Sequence, residues 1–136
     1  MTLKGGCFLI NIEEKTVAII YRKSRKDYSF PKGHMEEGED VKACAIRETI
    51  EETQRDVELL LEDPIYKNTY TTSDGEDVEV DMYLAKDKGE YQGFINEIDK
   101  EKCHWIKFDD VYNLLSYEDL KEMWNDVKPL IKPFME

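Results

Sequence analysis

The stretch FPKGHMEEGEDVKACAIRETIEET, Phe30 to Thr53, runs from a loop with Pro31, Gly33 and Gly38 into a segment of helical periodicity that ends in glutamates. Asp40 stands where its carboxylate can cap a helix. On a wheel turning about 100° per residue, Val41, Cys44, Ala45, Glu48, Glu51 and Glu52 share roughly one third of the circumference. Ala43, Ile46 and Ile50 lie opposite. An ordinary surface helix has one apolar stripe and one polar face, so two apolar faces predict a helix lying between layers of structure. The inner stripe starts apolar and ends in three carboxylates. Glu48 and Glu52, at i,i+4, repel by about 0.2–0.5 kcal/mol. At a helix C-terminus, cations would gain about 0.3–1 kcal/mol from the helix dipole, and carboxylates oppose it. Arg47 relieves Glu51 at i,i+4, but Glu48 and Glu52 have no such partner on the helix, and burying them adds a desolvation cost. A divalent cation resolves the conflict most simply, and an all-oxygen donor set selects Mg2+ or Mn2+ over zinc. The helix alone leaves open the ordinary alternative, an acidic end solvated by water.

The loop before the helix decides between them. Gly33 is followed after five residues by Glu39, after seven more by Arg47-Glu48, and then by Glu51-Glu52. This resembles the Nudix box: Gly, five residues, Glu, seven residues, then Arg-Glu-aliphatic-any-Glu-Glu-any-Gly-aliphatic. The charged positions and the first glycine match with both spacings intact. Three positions depart from it. Thr49 fills an aliphatic slot, Gln54 stands at the second glycine and Arg55 at the final aliphatic position. Gln54 must either carry about 1 kcal/mol of left-handed strain or let the helix end differently.

The resemblance implies hydrolysis of a nucleoside diphosphate linked to another moiety, with Mg2+ or Mn2+ as cofactor. It implies metal ligation by Glu51 and Glu52, with Glu48 a ligand or the base that activates water, and by the backbone carbonyl of Lys32. Glu39 and Arg47 are expected to pair and hold loop to helix, with Gly33 allowing close backbone approach. A further acidic ligand from a later loop is expected at Glu97, with Glu101 behind it. The loop FPKGHMEEGE, with Glu36, and the tail HWIKFDDVYNLLSYEDLKEM resemble the dinucleoside polyphosphate hydrolases within the family. The alternatives are a triphosphate pyrophosphohydrolase clearing oxidised or noncanonical nucleotides and, from another class, a noncatalytic nucleotide sensor. A sensor has no need of the costly glutamate cluster.

Lys32 and His34 could contact phosphate from the loop, His34 alternatively shaping the loop through a hydrogen bond, and Arg22 and Arg25 are further candidates. Tyr28, Tyr70 and Tyr83 could stack on a base, although any one of eight tyrosines is by default a packing residue.

Outward from this stretch, Phe8 to Ile12 and Val17 to Tyr21 predict two strands joined by a turn at Glu13-Glu14-Lys15. Arg22 to Gly38 is expected to be a loop. Val57 to Leu61 predicts a short strand. Ile65 to Thr72 and Val78 to Leu84 predict a hairpin around Ser73-Asp74-Gly75-Glu76, with Val78, Val80, Met82 and Leu84 on one face. Cys103 to Phe108 predicts another strand, and Asp109 opens a short helix. A capping box at Ser116 to Asp119 starts a last helix, which Pro129 is expected to kink or end. The fold class expected is α/β, an α/β/α sandwich around a mixed sheet, with residues 1–136 as one domain.

The chain of 136 residues carries a formal charge of −12. Such a surface disfavours duplex nucleic acid and anionic membranes, which need clustered Lys and Arg. Basic residues nevertheless gather at Arg22, Lys23, Arg25, Lys26 and Lys32, a place for a small anionic ligand or a solvated loop. A small nucleotide or polyphosphate is therefore the partner expected. Cys7, Cys44 and Cys103 are odd in number and far apart. They fit neither a disulfide framework nor a thiolate zinc site, and suit small buried residues in a reducing cytosol. The longest apolar run, Cys7 to Ile10, is too short for a signal or membrane segment, so a soluble cytoplasmic protein is expected.

Overall fold

The computed structural model describes residues 1–93 and 102–136. Among the described residues one mixed sheet contains β1 (Thr2–Asn11), β2 (Thr16–Arg22), β3 (Asp27–Ser29), β4 (Lys32–His34), β5 (Arg55–Leu59), β6 (Tyr66–Thr71), β7 (Asp77–Glu90) and β8 (Lys102–Lys107). The helices are α1 (Val41–Thr53), α2 (Val111–Leu114), preceded by a 3-10 turn at Phe108–Asp110, and α3 (Glu118–Met135).

β1 and β7 pair in parallel at the centre, Gly5 against Asp81 and Phe8 against Leu84. β2 runs antiparallel to β1, with β3 and β8 added to it. β5 and β6 flank β7, and β4 pairs with the first half of β1. Period-two alternation sends Phe8 and Ile10 to one face of β1, and Cys7 and Leu9 to the other. On the first face, Phe8, Val80, Met82 and Leu84 pack under Leu120, Met123, Trp124, Val127 and Ile131 of α3. Trp124 is fully buried and stacks against Phe30 with ring centroids 5.7 Å apart. On the second face, Cys7, Leu9, Ala18, Tyr83 and Ala85 pack with Ala45 of α1. The expected sandwich is therefore present, helices covering both faces of a mixed sheet.

Five expectations need correction. Residues 22–38 are not all loop, because β3 and β4 lie inside them. Each spans three residues, too short for periodicity to reveal. β1 starts at Thr2, well before Phe8. Its glycines weaken strand propensity, but a Cβ at Gly5 would lie 2.6 Å from the Val41 carbonyl, so glycine is what lets α1 dock there. Among the described residues α1 is covered on one side only: Cys44, Ala45, Thr49 and Thr53 are buried, Ala43 is exposed, and Ile46 and Ile50 are half-exposed. Ser116 forms no capping box, since its hydroxyl accepts from the Tyr28 N–H at 3.0 Å and α3 begins without a side-chain cap. Nor does Pro129 end α3, which continues through it and Pro133. Both prolines, and Asn125, whose carbonyl loses its donor, lie on the exposed side where water replaces the missing bond.

Cys7 and Cys44 are buried, whereas Cys103 is half-exposed. No helix among the described residues is long and apolar enough to cross a membrane.

Candidate active site

The site grows from the way the loop enters α1. Asp40 caps the helix, accepting the Ala43 N–H at 2.8 Å. Glu39 accepts the Glu36 N–H at 3.0 Å, which fixes the turn ahead of the cap. From the second turn Arg47 reaches back to the loop. Its Nε and Nη2 donate to the two Glu39 oxygens at 2.7 and 3.0 Å, and Nη2 also donates to the His34 carbonyl at 2.9 Å. Its Nη1 donates to Glu48 at 2.8 Å and to Glu51 at 3.2 Å. This planar fork holds Glu39 well below the usual carboxylate range, and Glu39 in turn raises the Arg47 pKa.

The three glutamates differ in surroundings. Glu48 is mostly buried, and burial pushes its carboxyl up despite the Arg47 hydrogen bond. It packs on Gly33 so closely that a Cβ there would lie 2.1 Å from the Glu48 carboxylate. Glu51 is the more exposed. Glu52 accepts the Lys32 N–H at 2.8 Å, fastening β4 to the last turn of α1. The Gly33 carbonyl is taken by the Cys44 thiol at 3.3 Å, so the short strand is fixed at both residues.

Gln54 shows how the departure from the box is accommodated. It adopts φ 59° and ψ 27°, the left-handed conformation a glycine would take, and its N–H donates to the Ile50 carbonyl at 2.7 Å. Arg55 then leaves the helix in a forked pair with Asp87, with distances of 2.9 and 2.8 Å. Thr49, in an aliphatic slot, is fully buried and returns its hydroxyl to the Ala45 carbonyl at 2.7 Å.

Among the described residues no three His, Cys, Asp or Glu side chains stand close enough to share one cation. The Arg47 guanidinium lies against Glu39, Glu48 and Glu51 and takes oxygens that a cation would use. The donor set nevertheless fits a hard divalent ion, because it is all oxygen, carried on adjacent turns by side chains with several rotatable bonds. Glu97 and Glu101 lie outside the described residues.

Lys32 and His34 project from the face of β4 opposite Gly33, away from Glu48. Burial, then Lys4 and Arg22, push the Lys32 ammonium down to about 8, partly countered by Glu52. Burial and then Lys4 also lower His34. Arg22 makes a forked pair with buried Asp27, both distances 2.7 Å, and Tyr117 donates its hydroxyl to the same carboxylate. Of the tyrosines considered for stacking, Tyr83 is buried under α1, while Tyr28 lies against Tyr21 with ring centroids 4.9 Å apart. Tyr70 is half-buried, and its hydroxyl accepts from Lys4 at 3.2 Å. Lys4, Asp27 and Tyr117 were not legible as site residues, since each is an isolated polar residue that only strand pairing and the approach of α3 bring near the loop.

A helix of glutamates clamped by an arginine to a glycine-bearing strand, set on a mixed sheet, is the arrangement that the box spacing predicts. Comparison with known proteins agrees. Residues 4–132 match the NUDIX domain family. An Ap4A hydrolase from C. elegans, solved as a binary complex, superposes with a TM-score of 0.74 at 19% identity, covering 98% of this chain and 99% of that one. A NUDIX hydrolase from Nitrosomonas europaea gives 0.75 at 14% identity, over 94% and 88% of the two chains. A NUDIX-family hydrolase from Clostridium perfringens gives 0.73 at 19%, over 96% and 97%. At these identities the structures speak for the fold. The protein belongs to the Nudix family of hydrolases.

Proposed function

We propose that this protein, acting as one Nudix domain over residues 1–136 in the cytoplasm, hydrolyses a phosphoanhydride in a nucleoside diphosphate-linked substrate, foremost a dinucleoside polyphosphate such as diadenosine tetraphosphate. The observation that carries the reading is the arrangement around β4. Its Gly33 face lies against the carboxylate of Glu48, and its opposite face presents Lys32 and His34. Candidate catalytic carboxylates and candidate phosphate-binding cations thus lie on opposite faces of one short strand. The FPKGHMEEGE loop and the C. elegans Ap4A hydrolase among the structural neighbours favour the dinucleoside substrate.

Glu48, Glu51, Glu52 and the Lys32 carbonyl would hold Mg2+ or Mn2+, with Glu97 as a further ligand. When bound, the cation screens the charge of the polyphosphate and makes a water more acidic. The protein's own contribution is positional. Glu48, enclosed between Arg47 and Gly33, would serve as a ligand or as the base that takes the proton of an attacking water. Arg47 fixes that carboxylate and keeps the loop on the helix. Lys32, His34 and Arg22 would contact the phosphates. Water adds across one P–O–P bridge, one phosphorus keeping the hydroxyl oxygen and the other fragment leaving with a proton.

The test is to incubate the purified protein with Mg2+ and dinucleoside polyphosphates, nucleoside triphosphates and ADP-ribose, and to identify the products chromatographically. ATP plus AMP from diadenosine tetraphosphate supports the reading. Pyrophosphate plus monophosphate from triphosphates would move it to the pyrophosphohydrolase class. Binding without turnover would make it a sensor. If Glu51→Gln and Glu52→Gln cleave as fast as the parent, the metal assignment fails.

A further inference from the structure

The cations on the far face of β4 extend beyond that strand. In the antiparallel pairing of β4 with β1, His34 lies opposite Lys4 and Lys32 opposite Gly6, so Lys32, His34 and Lys4 share one face. The parallel neighbour β7 places Val80 beside Lys4, and β6 places Asn68 beside Val80. Tyr70 follows two residues along β6, and its hydroxyl accepts from Lys4 Nζ at 3.2 Å, with the ammonium 5.9 Å from the ring centre. The result is a row across four strands in which the cations Lys32, His34 and Lys4 stand on one face with Asn68 and Tyr70, with Val80 buried between them, in a protein of net charge −12.

Like charges thus stand near one another on this face, Lys4 opposite His34 and Lys32 one row along. Among the described residues neither Lys4 nor Lys32 makes an ion pair. Of the described acids near this face, Glu76 accepts from the Thr2 hydroxyl at 2.8 Å, Asp119 accepts from the Asn68 amide at 3.4 Å, and Glu52 accepts the Lys32 N–H while offsetting part of the charge there. Cations gathered on one face with no direct ion pair among the described residues are what an external polyanion relieves.

We infer that Lys4, oriented by Tyr70, is the outer anchor of an extended polyphosphate subsite beginning at Lys32 and His34, and that it selects substrates by phosphate-chain length. The inference rests on the function proposed above and deepens it. Along β1 and β4, the step from the Gly6–Lys32 row to the Lys4–His34 row is two residues, about 7 Å. A chain of linked phosphates bridges that step, and a single phosphate does not. A short diphosphate-linked substrate engages Lys32 and leaves Lys4 idle.

The experiment separates this claim from hydrolysis. Calorimetric titration in EDTA compares inorganic tripolyphosphate with orthophosphate on the parent, Lys4→Met, Tyr70→Phe and Lys88→Met, the last a surface control. The expected result is tighter binding of tripolyphosphate by the parent, a loss of about tenfold or more in Lys4→Met and about threefold in Tyr70→Phe, and no change in the control. Tyr70→Phe removes one hydroxyl only and guards against a folding defect in Lys4→Met. A parent that binds the two anions alike, or a Lys4→Met protein within about twofold of the parent, overturns the subsite even if the enzyme hydrolyses dinucleoside polyphosphates. In turnover, Lys4→Met should lower kcat/KM about tenfold on diadenosine tetraphosphate and at least about threefold less than that on ADP-ribose. Equal loss on both substrates overturns the chain-length role.

Discussion

Replacing Arg47 by methionine removes the fork that ties loop to helix while keeping the length of the side chain. The guanidinium is 23% exposed and Glu39 is 12% exposed, so the pair is shielded but not dry. Its two short bonds to Glu39 are charge-assisted, worth about 1.5–3 kcal/mol each when well enclosed. The longer contacts to Glu51 are nearly one-third exposed and count for less than about 1 kcal/mol. Glu48 loses a 2.8 Å partner and faces its acidic neighbours without relief. Discounting for solvent, the loss comes to about 3–4 kcal/mol, a large share of the roughly 5–15 kcal/mol of a typical domain. With a urea slope of about 1–3 kcal/mol per molar, the midpoint should fall by about 1–4 M at neutral pH in EDTA. Arg47→Lys keeps the charge without the fork and should recover less than half. The pH dependence adds a check of sign. Glu39 is depressed in the folded state, so its contribution is present above its unfolded value near 4.3 and fades as pH falls through the lower folded value. The gap between parent and variant should therefore narrow in acid. Coincident urea transitions at pH 7, or a gap that widens toward pH 3, would refute the clamp.

Three further outcomes follow from local geometry. Gly33→Ala puts a Cβ where the Glu48 carboxylate sits, so steady-state kinetics should show about a hundredfold loss in kcat from displacing it, with circular dichroism unchanged. Gln54→Gly relieves a left-handed residue at φ 59° and should raise the melting temperature by about 2–4 °C in calorimetry, the gain trimmed by glycine's freedom when unfolded. Asp27→Asn breaks the buried fork to Arg22 and should cost about 3 kcal/mol in urea at neutral pH. Because Arg22 depresses the Asp27 pKa, that difference should shrink as pH falls below about 4 in the same assay.

The elements legible in the chain were those with enough residues to show a period. The alternation of Val78 to Leu84 marked the central strand, whose apolar residues are buried under α3 as that pattern requires. Asp40 marked the start of α1 because a cap is a local event. What escaped was short or depended on a neighbour. β3 and β4 have three residues each and exist because β2 and β1 offer them an edge. Ser116 read as a helix cap, yet it serves the backbone of Tyr28, eighty-eight positions away. Wheel geometry placed the glutamates on one stripe but could not know that Ile46 and Ile50 would stay partly exposed.

By itself, the sequence determined the kind of chemistry on offer: a spacing of glycine, glutamates and arginine that brings carboxylates to one end of one helix, whatever the helix packs against. Backbone geometry alone enforces that, because helical neighbours are fixed by residue number. Tertiary structure decided which groups face those carboxylates. The partner of Glu52, the cover over Glu48 and the row that joins Lys4 to His34 all arise from pairing between strands distant in the chain, and register between strands is a property of the assembled sheet.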